Sequence, residues 1–336
     1  MKNLILLIPI LVSLVVTFLL IPNWINRARK VKLVGRDIQK ISKPEVAEAG
    51  GINVVTGFIL GVLVYVAIRS FYFDSLDKSL EIFALISTLL IISFVGLTDD
   101  VLGWKIGLSK KVRLILVLFA SIPLIVIKAG QSTISLPFFG LIDLGIIYPL
   151  FIIPLGIVGV TTTYNFLAGL NGLEAGQGII LVSVFSLVAY MTGSYWLALV
   201  GLCMIASLFA FMLYNFYPAK IFPGDSLTYT VGGMLGIMAI LGNFEKIAVF
   251  FFIPYIIEVV LKLRGKLEKE SFGKINSSGE LDLLYPKLYG LTHVSIALLK
   301  KLGIKSTEKN VVSLIWLFQI IVIISGLIIF RQGIFI

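Results

Sequence analysis

The sequence predicts an all-α polytopic membrane protein of about ten transmembrane helices, on three observations. Of its 336 residues, 58% are hydrophobic and only 14% are charged, with a mean hydropathy of +1.04. Soluble domains carry about 25% charged residues, so a water-facing surface cannot be assembled from this chain. Ten apolar runs approach the roughly 20 residues that cross a bilayer. Lys and Arg are divided unevenly between alternate connections, as in a chain threaded through a membrane.

The run 4–22 has the greasiness of a signal peptide. It is long enough to span and lacks a small-residue cleavage site, so a retained helix is expected. Runs 52–69 and 80–98 follow, and the second stops at the adjacent Asp99 and Asp100. Run 112–128 begins in the basic stretch Lys110, Lys111, Arg113. Run 142–162 is interrupted by Pro149 and Pro154, and run 176–192 is preceded by a glycine-rich segment. Runs 195–215, 227–242, 246–262 and 311–330 complete the set. The chain reads as a single integral-membrane domain, 1–336, with one sizeable excursion at 263–310. Within it, "KINSSGELDLLYPKLYG" is turn-rich polar chain, and "LTHVSIALLKKLGI" is too short to span and suits an interface. No internal repeat is visible.

The connections after runs one, three, five, seven and nine hold 22 of the 28 Lys and Arg residues. The other side holds Lys2, Arg69, Lys78, Lys128, Lys246 and Arg331. Basic residues accumulate in the cytosol, which places both termini on the extracytoplasmic side. The net charge of +10 is thereby a matter of orientation rather than of nucleic-acid binding. The single Cys203 excludes an intrachain disulfide and reads as a small core residue. The single His293 excludes a His-rich metal site and reads as interfacial or packed.

Three polar clusters fall on the same, cytosolic, side: "TDD" at Asp99–Asp100, "TTTYNFLAGLNGLEAGQG" at 161–178 and "NFYPAKIFPGDSLTYTVGG" at 215–233. Each has a plain structural reading. Asp99 or Asp100 suits the cap of the next helix, Asp225 an N-cap, and Asn165 and Asn171 a turn. Their convergence on one face favours function, because ionisable groups at membrane depth are costly. Carboxylate and amide oxygens without Cys or His select a hard cation, Mg²⁺ or alternatively Mn²⁺, which keeps water and phosphate ligands. Nearby cations and glycine-rich backbone suit a nucleotide-linked diphosphate. No P-loop or dinucleotide fingerprint is present.

The motifs "GLTDDVLG", "NFLAGLNGLEAGQG" and "FPGDSLTYTVGG" together resemble the polyprenyl-phosphate N-acetylhexosamine-1-phosphate transferases. "NGLEAGQ" is most similar to the archaeal and eukaryotic dolichyl-phosphate branch. The resemblance implies ten helices, a cytosolic active site, and transfer of GlcNAc-1-phosphate from UDP-GlcNAc to dolichyl or another polyprenyl phosphate, the first membrane step of N-glycan or related glycoconjugate assembly. It implies membrane lipid as surroundings, no nucleic acid, and room for a homodimer. The membrane is that of a prokaryotic cell, or the endoplasmic reticulum of a eukaryote. Catalytic roles carry over to Asp99, Asp100 and one of Lys110 and Lys111, and metal ligation to Asn165 and Asp225. Substrate contacts carry over to Glu48, Gly169, Asn171 and Phe222, the last three as uracil-contacting positions. Relatives carry an Arg- or His-rich motif after span nine. Here the stretch is "KLRGKLEKESFGK", in which Arg264, Lys269 and Lys274 are the candidates. Two alternatives stand beside this reading: a phosphotransferase using another UDP-N-acetylhexosamine and undecaprenyl phosphate, and a transporter or flippase of lipid-linked sugar.

Overall fold

The computed structural model describes residues 4–103, 106–136 and 140–334. Lys2 and Lys105, two cations of the charge census, lie outside them.

Helix α1 (Leu7–Lys30) leads into a hairpin of β1 (Val34–Arg36) and β2 (Glu45–Ala47), then α2 (Gly51–Phe71) and α3 (Ser79–Leu102). Next come α4 (Lys110–Ala120) and α5 (Ile122–Val126), and a hairpin of β3 (Thr133–Leu136) and β4 (Gly140–Asp143). Helix α6 (Ile153–Phe166) is entered through a π-helical turn at Tyr148–Ile152. There follow α7 (Leu173–Met191), α8 (Tyr195–Asn215), α9 (Gly224–Gly242), α10 (Glu245–Phe251) and α11 (Ile253–Arg264). The excursion holds β5 (Lys274–Ile275), β6 (Leu281–Asp282) and α12 (Leu291–Lys301), before α13 (Glu308–Ile329) and α14 (Arg331–Ile334).

Among the described residues, eight helices are long and apolar enough to cross a membrane. The two other expected runs are broken. Run 112–128 divides into α4 and α5 at Ser121, and Pro123 in the first turn of α5 brings no N–H to continue the ladder. Run 246–262 divides into α10 and α11 at Phe252, again just before a proline, Pro254. The start of run 142–162 is a strand: "GLID" pairs antiparallel with "TISL", Thr133 opposite Asp143.

Helix α9 is the centre of the bundle. Every residue from Ser226 to Ile240 is buried, against α3 and α6 most extensively and also against α2 and α7. Helices α1 and α2 pack together and against α8, and α13 closes the other side against α7 and α12. Outward-facing Phe94, Ile115, Leu155 and Ile328 are exposed, as lipid-facing positions are.

The ends of α1, α2, α3, α6, α7, α8 and α9 that meet at the polar clusters are tied by their loops. Ala47 forms a parallel bridge to Ile221, Phe222 N–H donates to Ala47 O (2.7 Å), and Gly50 N–H donates to Phe222 O (2.9 Å). The loop after α1 is therefore joined to the loop before α9, although some 170 residues separate them.

Candidate active site

The last turn of α3 carries two aspartates with different partners. Asp100 Oδ1 accepts the backbone N–H of Asp225 (2.6 Å) and Oδ2 that of Ser226 (3.1 Å). First-turn N–H groups of a helix lack intrahelical partners, so Asp100 caps α9 from another helix. Neither plain capping role expected from the sequence is the one observed: the capped helix is not the next one, and Asp225 is not its own cap. Gly224 allows the arrangement. Its φ is +70°, and the Asp100 carboxylate lies where a Cβ would stand.

Asp99 Oδ1 accepts the Leu108 N–H (2.6 Å), and its Oδ2 lies 3.2 Å from Arg113 Nη1. The same Nη1 is 2.9 Å from Asp225 Oδ2. One half-buried guanidinium thus sits between a carboxylate of α3 and a carboxylate of α9. In the sequence Arg113 was only one cation of "KKVR"; helical spacing turns it inward while Lys110 and Lys111 stay exposed. Asn165, in the last turn of α6, accepts a hydrogen bond from the Thr228 hydroxyl (3.0 Å).

Asp100, Asn165, Asp225 and Thr228 line a cavity of about 730 Å³. Of the residues expected at the site, Glu48, Asp100, Asn165, Gly169, Phe222 and Asp225 line it. Glu48 lies beyond β2, and burial pushes its carboxyl above the usual range. Asp99 stands behind the wall, held by Arg113. Asn171 is not on the wall. Its Oδ1 accepts from Ala219 N–H (2.8 Å) and Lys40 Nζ (3.3 Å), and its Nδ2 donates to Asp37 (3.1 Å). Glu308, at the start of α13, accepts the Asn171 N–H (2.6 Å) and pairs with Lys40. Lys110 and Lys111 do not line the cavity, and Lys110 Nζ donates to Leu267 O (3.0 Å). Arg264, Lys269 and Lys274 do not line it either; Lys269 lies over the Tyr285 ring.

The loop after α11 instead brings Phe272 to the wall, against Gly169, where a Cβ would strike its ring. That loop is fastened at both ends. Glu258 of α11 accepts the Leu291 N–H (2.5 Å), and His293 of α12 bonds Phe272 O through Nε2 (3.0 Å) while its Nδ1 accepts the Tyr289 N–H (3.3 Å). His293 is fully buried, and desolvation holds its pKa below the usual imidazole value. It is a packed residue, as one of its two expected readings has it. Sequence reasoning missed Arg113, Phe272, Gln39 and Glu174, the last two also cavity-lining; Glu174 stood inside the quoted "NGLEAGQ", and the other three lie in none of the three motifs.

The oxygen donors fit a hard divalent ion. Asp225 and Asn165 line the same cavity, and a positive group, Arg113, already occupies the space between Asp99 and Asp225. Among the described residues no group of three or more His, Cys, Asp or Glu side chains is placed to hold a metal by itself. Water and substrate phosphate would have to complete the shell, as Mg²⁺ prefers.

The glycosyl transferase family 4 profile matches residues 82–243, which include Asp99, Asp100, Asn165 and Asp225. A protein of Saccharolobus solfataricus, provisionally named UDP-N-acetylglucosamine–dolichyl-phosphate N-acetylglucosaminephosphotransferase, is 38% identical over 96% of this chain and 98% of its own. The Dictyostelium discoideum protein of that name is 31% identical over 72% of this chain and 67% of its own. A phospho-N-acetylmuramoyl-pentapeptide-transferase of Halalkalibacterium halodurans is 28% identical over 78% and 85%.

Proposed function

The chain belongs to glycosyl transferase family 4, and from that membership we propose that it transfers GlcNAc-1-phosphate from UDP-GlcNAc to dolichyl or a related polyprenyl phosphate, on the cytosolic face of its membrane. The observation that carries this reading is the cavity itself. Carboxylate, amide, glycine and aromatic positions from four separate stretches of chain, all expected from the sequence, border one space. It stands at the ends of apolar helices, where a nucleotide sugar arrives from water and an isoprenoid phosphate from lipid.

A phosphate oxygen of the acceptor attacks the β-phosphorus of the donor. The bond from that phosphorus to the bridging oxygen breaks, and its electron pair leaves with UMP. A phosphate monoester has its second pKa near 6, so no strong base is required. Asp100, already accepting two N–H bonds, fixes the start of α9 and so the place of Asp225. Asn165 and Asp225 would hold Mg²⁺, which when bound offsets the diphosphate charge. Arg113 offsets part of the negative charge of Asp99 and Asp225. Phe222 and Phe272 offer apolar faces to a base or sugar.

The purified protein in nanodiscs, given UDP-GlcNAc, polyprenyl phosphate and Mg²⁺, is expected to release UMP and form a lipid-linked sugar diphosphate. UMP release that does not depend on the acceptor lipid, or its absence with every UDP-N-acetylhexosamine offered, overturns the proposal. Competition among UDP-GlcNAc, UDP-GalNAc and a muramoyl donor identifies the sugar.

A further inference from the structure

Helix α12 is turned the wrong way for a helix in water. Its buried face carries Thr292, His293 and Ser295 beside Leu291, Ile296 and Leu299. Its outward face has no polar residue before Lys300: Val294 and Ala297 are half-buried, and Leu298 is 41% exposed. The chain beyond the helix continues that face with Leu302 at 60% and Ile304 at 47%. A solvated helix keeps its apolar side inward and its polar side out. An apolar surface rimmed by charge marks an interaction site. The rim here is cationic. Lys300 pairs with Asp282, while the exposed Lys301 and Lys305 have no acidic partner among the described residues.

The place of α12 in the fold selects what covers this face. Glu258 of α11 accepts the Leu291 N–H, and it lies six residues, about 9 Å along the axis, before Arg264 at the end of α11. Helix α12 therefore starts alongside the last turns of α11 rather than beyond them. On α11 the outward Ile256, Val260 and Leu263 are exposed, an apolar stripe at helical spacing that runs into its last turn. Helix α12 also packs against α13, a helix long and apolar enough to span, and residues 302–307 that join the two reach about 20 Å at most. Both neighbours are helices whose outward sides suit lipid. We propose that the outward face of α12 lies in the headgroup layer of the leaflet on the cavity's side. Leu298, Leu302 and Ile304 enter the acyl boundary, and Lys301 and Lys305 reach anionic headgroups on their long stems. A second copy of this chain would bring the same uncompensated lysines to the rim, whereas an anionic surface takes them up. The docked helix is also the one that holds Phe272 at the cavity wall, through His293.

The test reads position, with no turnover required, so its outcome is independent of donor and acceptor. Cys203 is buried, and an added thiol alone takes a bimane dye. Leu298→Cys is labelled in the full-length protein and placed in nanodiscs of phosphatidylglycerol or phosphatidylcholine. Ser277→Cys, in the turn between β5 and β6, is the reference. A lipid spin-labelled near its headgroup is expected to quench the Leu298 dye at least about threefold more than the Ser277 dye, and aqueous iodide the reverse, as for a helix buried at the headgroup boundary. Iodide reaching both dyes equally overturns the proposal. Protection of the Leu298 dye from both quenchers also overturns it, by giving the face to protein, a second copy included. Should Leu298→Cys fail to fold, Leu302→Cys carries the same comparison. Lys301→Gln with Lys305→Gln should raise iodide quenching of the Leu298 dye about twofold in phosphatidylglycerol and leave it unchanged in phosphatidylcholine, since only the anionic surface attracts the two charges. An equal response in the two lipids overturns the anionic leaflet as the occupant.

Discussion

Arg113 is a single cation shared by two carboxylates, and that arrangement makes the site's charge testable. Arg113→Ala leaves Asp99 and Asp225 facing one another, at a cost of about 1–2 kcal/mol for a partly buried pair. A divalent ion bound there relieves the same repulsion. Thermal unfolding with and without Mg²⁺ should therefore show a larger Mg²⁺ stabilisation in Arg113→Ala than in wild type; equal shifts would place the ion elsewhere. Asp225→Asn should lower UMP release about 10²–10³-fold, the scale of lost electrostatic stabilisation. Glu48 gives a pH signature. Its folded-state pKa lies above the ordinary 4.5, so the folded protein binds more protons than the unfolded one over that interval. Stability then falls as pH rises from about 4.5 through the raised value. Glu48→Gln should flatten that slope in melting curves taken across the range.

At the scale of elements, the long apolar runs and the three polar motifs were legible because their signals are local: a span is about 20 residues of composition, and a motif a few residues of spacing. The features that complete the site were not local. The cap of α9 comes from α3, the strand partner of Ala47 comes from the loop before α9, and Phe272 is placed by anchors on α11 and α12. Pairings of that kind leave no period in the sequence. Residues 142 and 143, the end of β4, read as the start of a helix because a short apolar stretch has no periodicity to separate strand from helix. The breaks at Ser121 and Phe252 were masked in the same way, by apolar residues on both sides of a proline. The α3–α9 junction carries its own prediction. Gly224→Ala puts a methyl group into the Asp100 carboxylate at a positive φ, at about 1–3 kcal/mol of strain. It should lower the melting temperature and turnover together, and an unperturbed Gly224→Ala protein would rule out the cap as a fixed contact.

For the molecule as a whole, the uneven placement of Lys and Arg predicts an orientation that labelling can read. The sole cysteine, Cys203, is fully buried in α8, so an added thiol is the reactive one. Asp77→Cys, in the connection between α2 and α3, should react with an impermeant maleimide on intact cells. Ser277→Cys, in the turn between β5 and β6, should react only after the membrane is opened. The reverse pattern would invert the topology.

The buried clasp of Asp37 and Lys40 to Asn171 and Glu308 has a consequence for biogenesis. It joins the loop after α1 to the α6–α7 loop and to the start of α13, which follows it by most of the given sequence. Without Glu308, Lys40 keeps only Asp37 as an acidic partner among the described residues. A chain cut off before α13 is therefore expected to leave the loop after α1 without this anchor and to bind nucleotide sugar poorly.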